Sequence, residues 1–165
     1  MKRILVVDDF RANVIMVQQA LYSKYEIDTA TSGKEALQRI KVATPDLLIL
    51  DIQMPEMSGI ELLKLMKADP SMKEIPVVFL TGKADRESVT KGFKLGIKDI
   101  ISKPIIMKTV EARISRVFDL MESAKTEVFC VMGESCDSTK NEISDAFDQL
   151  LDENFWLDDD WKDLI

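Results

Sequence analysis

The sequence predicts an α/β fold over residues 1–122, a doubly wound, five-stranded parallel sheet. Short apolar runs of strand length alternate in this region with segments whose apolar residues recur at helical spacing. Apolar strands that alternate with amphipathic helices form parallel sheets that are covered by helices on both faces. We therefore expect five strand–helix units, followed by a mostly helical C-terminal extension over residues 123–165.

The predicted strands are short and mostly apolar. The third is apolar throughout, which is typical of a strand that is buried on both faces, whereas the second is the least apolar and only a modest strand. The five predicted strands are residues 4–7, 26–30, 47–50, 77–80 and 100–102.

The predicted helices show start and stop signals as well as apolar spacing. Val14 and Leu21 lie on the apolar face of the first helix. A serine followed three residues later by a glutamate is a capping box, and it begins the second helix at Ser32 and the third at Ser58. Gly96 is the predicted C-cap of the fourth helix. The predicted helices are residues 11–23, a second from residue 32, then 58–68, 85–95 and 107–121.

Charged and aromatic residues divide the chain near residue 123. Residues 1–122 hold 19 basic and 17 acidic residues, a net charge of +2, whereas residues 123–165 hold 3 basic and 12 acidic residues, a net charge of −9. Both tryptophans, Trp156 and Trp161, also fall in the second segment. This shift in composition predicts a domain boundary near residue 123.

The N-terminal residues do not resemble a secretion signal. A short apolar run follows two basic residues and meets Asp8 and Asp9 at once, which is too short for a signal peptide. No apolar run in the sequence is long enough to cross a membrane. A cytoplasmic location is therefore the default expectation, with Cys130 and Cys136 as reduced thiols.

Polar residues follow four of the five predicted strands. Asp8 and Asp9 come after the first strand and Asp51 after the third. Thr81 comes after the fourth strand and Lys103 after the fifth. In an open doubly wound sheet the functional site lies beyond the carboxyl ends of the strands. We therefore expect three carboxylates, a hydroxyl group and an ammonium group to converge there.

These groups suit the transfer of a phosphoryl group to a carboxylate. Three carboxylates at one place repel one another, so one is protonated or a cation binds, and Mg²⁺ is the natural cation because it prefers oxygen ligands. A carboxylate is a workable nucleophile toward a phosphoryl group. The transfer mainly requires alignment and neutralisation of the phosphoryl oxygens, to which Mg²⁺, Lys103 and Thr81 would contribute.

Four motifs closely resemble those of bacterial response-regulator receiver domains, including those of chemotaxis regulators. They are Val6-Val7-Asp8-Asp9, residues 50–59 (LDIQMPEMSG), Leu80-Thr81-Gly82 and Ser102-Lys103-Pro104, and their spacing also agrees. The resemblance covers residues 1 to about 122 and implies a flavodoxin-like fold with strand order 2-1-3-4-5. It also implies a protein that is not an enzyme, apart from its own Mg²⁺-dependent phosphorylation and dephosphorylation.

The resemblance further implies a phosphoacceptor and a set of metal ligands. Asp51 accepts the phosphoryl group. Asp9 and Asp51 bind Mg²⁺ directly, and Asp8 binds it directly or through a water molecule. The backbone carbonyl of Gln53 completes the protein ligands.

The resemblance assigns the other strand-end residues to the phosphate. Lys103 contacts the phosphate, and its peptide bond to Pro104 is expected to be cis. Thr81 supplies a hydroxyl donor. One position departs from the family pattern, because receivers often carry Tyr or Phe three residues before the lysine, where this chain has Ile100. We therefore expect no aromatic rotamer switch at Ile100.

The composition and the resemblance together imply protein partners. The chain contains no histidine, so any phosphohistidine must come from another protein. The resemblance implies a sensor histidine kinase or a histidine phosphotransfer protein as the donor, and an output protein that binds the acidic extension or the receiver surface. A homodimer is left open. The alternative is that the chain is the receiver end of a longer regulator whose enzymatic output domain is absent from it.

Other classes of site fit the residues less well. A nucleotide-binding fold would have a glycine-rich first turn, where this chain has Asp8 and Asp9. A hydrolase of the haloacid dehalogenase type spaces its acids as Asp-x-Asp, and the segment that begins at Asp51 lacks the second acid. DNA binding is disfavoured because an extension with a net charge of −9 repels phosphates.

The acidic extension carries two apolar stripes at helical spacing. In one interpretation the stripes pack on the first domain or continue into its last helix, and in the other they dock another protein or a second subunit. The candidate docking residues are Ile143, Phe147, Leu150, Leu151, Trp156 and Trp161.

Overall fold

Five strands and five helices alternate along residues 1–82 and 86–131, the part of the chain that the computed structural model describes. The strands are β1 (Arg3–Val7), β2 (Glu26–Ala30), β3 (Leu47–Asp51), β4 (Val77–Thr81) and β5 (Asp99–Ser102). The helices are α1 (Arg11–Leu21), α2 (Gly33–Val42), α3 (Gly59–Ala68), α4 (Arg86–Lys94) and α5 (Met107–Val131). The predicted alternation is thus confirmed.

The strands form one parallel sheet in the order β2-β1-β3-β4-β5. This order confirms the predicted doubly wound fold. β2 lies on one side of β1, and β3, β4 and β5 follow one another on the other side. β1 and β3 are therefore neighbours at the point where the winding reverses. Their carboxyl ends meet at that point, which is where doubly wound sheets bind their ligands.

The core lies on both faces of this sheet. One face packs alternate strand residues, such as Ile4 and Ile49, against Val17 of α1 and Ile114 of α5 in a single apolar cluster. The residues of β3 and β4 that point to the other face are also almost fully buried, as are Leu5 and Val7 of β1. A sheet covered on both sides needs strands that are apolar on both sides, which explains their unbroken apolar runs.

The helix ends follow the predicted signals with one difference. At α3 the capping box is complete, because the Ser58 hydroxyl accepts from the Glu61 N–H and the Glu61 carboxylate accepts from the Ser58 N–H. At α2 the Ser32 hydroxyl accepts from the Glu35 N–H, but the Glu35 carboxylate accepts from the N–H and the hydroxyl group of Thr31. The predicted box at Ser32 is therefore only half formed.

The predicted C-cap of α4 is confirmed at Gly96. This residue has a φ of 93°, a conformation that glycine adopts without strain. The Gly96 N–H donates to the Phe93 carbonyl oxygen (3.0 Å) and the Ile97 N–H to the Gly92 carbonyl oxygen (3.1 Å). These two bonds form a Schellman motif, which turns the chain out of α4 and into β5.

Helix α5 extends further than the sequence pattern predicted. It runs to Val131, whereas the prediction ended it at residue 121. Residues 122–131 contain neither glycine nor proline, so the sequence offers no stop signal there. The predicted boundary near residue 123 falls inside this helix, and the division into two domains stays a prediction. The candidate docking residues of the extension lie outside the described residues.

Both outer strands of the sheet carry ion pairs. On β2, Glu26 pairs with Arg3 (2.8 Å) and Asp28 pairs with Arg39. On β5, Asp99 pairs with Arg113 of α5 (2.9 Å). Across residues 1–82 and 86–131, no helix combines the length and the apolar character needed to span a membrane.

Candidate functional site

The carboxyl ends of the strands bring the predicted polar residues together at one edge of the sheet. Asp51 ends β3 and Thr81 ends β4, while Asp8 follows β1 and Lys103 follows β5. One carboxylate oxygen from each of Asp8, Asp9 and Asp51 can be chosen so that all three lie within 4.8 Å of one another. Among residues 1–82 and 86–131, this group is the one found with the spacing of a metal site.

Lys103 bridges two of the three carboxylates. Its Nζ lies 3.0 Å from Asp8 Oδ2 and 3.2 Å from Asp51 Oδ1. Burial disfavours the ammonium ion, but the hydrogen bond that Lys103 donates to Asp8 and the negative charges of Asp51 and Asp8 outweigh burial and raise the pKa of Lys103. One ammonium group faces three carboxylates, so the site has excess negative charge when all four groups are ionised.

Asp8 is fully buried, and three donors satisfy its carboxylate. The Phe10 N–H donates to Oδ1 (2.8 Å), while the Asn13 side-chain amide and Lys103 donate to Oδ2, each at 3.0 Å. The sequence pattern did not predict Asn13. Its only signal is a polar side chain in the first turn of α1, the helix that begins just after Asp8 and Asp9.

Asp51 is only 3% exposed. Its Oδ1 accepts from Lys103 and from the Gln53 N–H (3.3 Å), and within the described chain no hydrogen bond reaches Oδ2. The described residues contain no buried side-chain oxygen or nitrogen without a partner, so Oδ2 keeps some exposure to solvent. An open cleft of about 500 Å³ borders the site through Gln53 and Thr81.

The electrostatic surroundings raise the pKa of Asp51 to about 6. Burial is the main cause and repulsion by Asp8 the second, while Lys103 and the Gln53 N–H act in the opposite direction. The metal-free site thus resists full ionisation, as expected where carboxylates are brought together without a cation.

Two glycines shape the loops around Asp51. A Cβ atom at Gly59, the first residue of α3, would lie 2.3 Å from the backbone oxygen of Asp51. A Cβ atom at Gly33, the first residue of α2, would lie 2.7 Å from the Met57 sulfur. The first contact is with backbone, which cannot move without moving the site, whereas the second is with the end of a flexible side chain.

The structure also shows the positions of the other residues that were singled out in the sequence. The peptide bond between Lys103 and Pro104 is cis, as expected. Thr81 is buried at the end of β4, and Ile100 is buried in β5 beside Phe79 of β4. Gln53 is in the loop after β3, two residues beyond Asp51.

Comparison with known proteins identifies the family. Residues 4–115 match the family model described as the response regulator receiver domain. The chain belongs to this receiver family. A receiver is a signalling domain that responds to phosphorylation of an aspartate. The predicted membership of the response-regulator receiver family is confirmed for these residues.

The receiver is similar to proteins of several kinds. It is 42% identical over 111 residues to a probable cyclic di-GMP phosphodiesterase of Vibrio cholerae, an alignment that covers 67% of this chain and 25% of that protein. It is 33% identical over 119 residues to the chemotaxis protein CheY-3 of Vibrio cholerae, covering 71% of this chain and 92% of that protein. The chain thus spans about a quarter of the first relative and most of the second.

A solved receiver structure confirms the fold. The Vibrio cholerae chemotaxis protein CheY4 superposes with a TM-score of 0.67 at 32% identity, covering 71% of this chain and 98% of that one. The agreement confirms the flavodoxin-like architecture that the resemblance to receivers implied.

The raised pKa of Asp51 predicts that, without metal, the stability of the receiver depends on pH. A carboxyl group whose pKa is higher in the folded than in the unfolded chain stabilises the fold at pH values below its pKa in the unfolded chain. This contribution is lost as the pH rises through its pKa in the folded chain, which is about 6 for Asp51. Asp51→Asn should therefore stabilise the receiver in EDTA relative to wild type by about 2 kcal/mol more at pH 7 than at pH 4. Urea unfolding at the two pH values measures this difference, and a difference independent of pH would contradict it.

Proposed function

We propose that Asp51 accepts a phosphoryl group from a phosphohistidine of a sensor histidine kinase or a histidine phosphotransfer protein. Phosphorylation would then change the contacts that this receiver makes with other proteins. The observation that carries the proposal is the convergence of Asp51 with Asp8, Asp9 and Lys103 at the carboxyl edge of the sheet.

The two oxygens of Asp51 have different surroundings, which supports different roles. Oδ1 accepts two hydrogen bonds, so it is held in place, while Oδ2 accepts none from the described residues and keeps some exposure to solvent. Oδ2 would form the new bond to phosphorus as the phosphorus–nitrogen bond to the donor imidazole breaks. The electron pair of that bond would stay on the imidazole nitrogen, and an aspartyl phosphate would remain on the receiver.

The three carboxylates fit a magnesium ion. Asp8, Asp9, Asp51 and the backbone carbonyl of Gln53 would hold it, an all-oxygen set that matches the preference of this ion. Bound there, Mg²⁺ would supply positive charge to the phosphoryl oxygens. The excess of carboxylates over the single ammonium group of Lys103 explains why the site needs a cation.

Lys103 and Thr81 would contact the phosphoryl group once it is attached. Lys103 already lies between Asp8 and Asp51, so a small movement would bring its Nζ to a phosphoryl oxygen. Thr81 ends the strand next to β3 and carries a hydroxyl donor. With Ile100 in place of an aromatic residue, we infer that the change is reported without an aromatic rotamer switch.

The proposed partners of the receiver are a phosphohistidine donor and an output protein. The donor must carry the phosphohistidine because this chain has no histidine. The output partner would bind either the receiver surface or the acidic extension, and a homodimer is a further form that this contact could take. We propose no enzymatic output and no nucleic-acid contact for this chain. The longer regulator with a separate output domain stays the alternative.

Phosphorylation with and without metal tests this function. With Mg²⁺ and acetyl phosphate, intact mass spectrometry should show the addition of one phosphate, whereas EDTA should prevent it, because the acidic cluster would otherwise repel the donor. Asp9→Ala should weaken Mg²⁺ binding more than Gln53→Ala, since the latter keeps the backbone carbonyl. Equal rates of phosphorylation with Mg²⁺ and with EDTA would contradict the proposed metal site.

A further inference from the structure

Asp8 is the most deeply buried group of the site, yet its surroundings include a residue with no assigned role. Asn13 donates from its side-chain amide to Asp8 Oδ2 at 3.0 Å. The donor must be the amide nitrogen, because an ionised carboxylate only accepts hydrogen bonds. Asn13 is the third residue of α1, so the backbone of a regular helix fixes its position relative to the strand end.

Asn13 and Lys103 share the same oxygen. Lys103 Nζ also lies 3.0 Å from Asp8 Oδ2 and divides its contacts between this atom and Asp51 Oδ1. Under the proposed function, on which this inference rests, Lys103 turns toward a phosphoryl oxygen. Its departure would leave Asp8 Oδ2 inside the protein with one side-chain donor from the described residues, and that donor is Asn13.

We propose that Asn13 is a positioning residue of the phosphorylation site. Its amide holds the Asp8 carboxylate in the orientation that binds the metal, and it satisfies Oδ2 when Lys103 moves to the phosphate. Without this amide, Asp8 would depend on Lys103 alone for Oδ2 and would retain the lysine. The residue thus acts through Asp8 and Lys103 and does not touch the phosphoryl group itself.

The proposal predicts two separate effects of Asn13→Ala. Loss of a hydrogen bond that orients a metal ligand typically weakens metal binding by about 10-fold or more, so calorimetric titration of the full chain with Mg²⁺ should show this reduction. In addition, the rate of phosphorylation by acetyl phosphate should stay several-fold below wild type at saturating Mg²⁺, since Lys103 remains on Asp8. Loss of packing alone would lower the melting temperature but would not alter the rate at saturating metal.

Two further variants sharpen the test. Asn13→Asp keeps the size of the side chain but removes the donor, so it should also slow phosphorylation at saturating Mg²⁺. Gln19→Ala removes an exposed amide from the same helix and should leave both the Mg²⁺ affinity and the rate unchanged. Wild-type affinity together with a wild-type rate in Asn13→Ala would overturn the proposal. A wild-type chain that takes no phosphate would instead contradict the proposed function, and the Mg²⁺ titration would then decide the role of Asn13.

Discussion

Asp51→Asn should reduce phosphate uptake from acetyl phosphate by on the order of 100-fold or more, because an amide oxygen is a far weaker nucleophile than a carboxylate. The variant keeps the size of the side chain and the hydrogen bond from the Gln53 N–H to its oxygen. Intact mass spectrometry after incubation with Mg²⁺ measures the loss directly.

The control for Asp51→Asn is the same substitution at an exposed carboxylate outside the acidic cluster. Asp119 lies on the exposed side of α5, so Asp119→Asn should take up phosphate at the wild-type rate. Uptake by Asp51→Asn to the same extent as by the Asp119 variant would show that another residue is the acceptor.

Gly59→Ala should damage both the fold and the site. The new Cβ would lie 2.3 Å from the Asp51 backbone oxygen and 2.9 Å from the Ile52 Cα, so α3 and the end of β3 must move apart. Overpacking of this kind costs about 2–3 kcal/mol of the free energy of unfolding. A displacement of Asp51 by about 1 Å would slow phosphorylation on the order of 100-fold.

Gly33→Ala provides a matched comparison, since Gly33 is also the first residue of a helix. Its Cβ would meet the Met57 side chain, which can turn aside. The higher helix propensity of alanine, worth up to about 1 kcal/mol, offsets part of that cost. Urea unfolding and phosphorylation rates of the two variants measure the contrast. Equal losses of stability and of rate in both variants would refute the conclusion that the contact with the Asp51 backbone causes the damage in Gly59→Ala.

Much of the fold was predictable because burial leaves a periodic signal in the sequence. The unbroken apolar run of β3 follows from coverage on both faces, and the Ser58 capping box and the Gly96 C-cap follow from local hydrogen bonds. The strand order came only from the resemblance to receivers. The end of α5 at Val131 was missed because that region lacks the residues that stop helices.

The site was predictable in its residues but not in its contacts. Asp8, Asp51 and Lys103 follow apolar strands, and parallel strands end at one edge of the sheet, so their convergence could be inferred. A sequence does not show that Lys103 is shared by two carboxylates, nor that Asn13 reaches one of them. Such contacts depend on rotamers and on the angle at which α1 leaves the strand end.

The ion pairs on the outer strands bear on how this protein behaves at high concentration. An open sheet exposes unpaired backbone groups along β2 and β5, and such edges invite other chains to add strands and aggregate. Glu26 and Asp28 on β2, and Asp99 on β5, place charges along these edges. Charged side chains on an edge strand discourage the pairing of a further strand, so these residues favour the folded monomeric sheet over aggregates formed by strand addition.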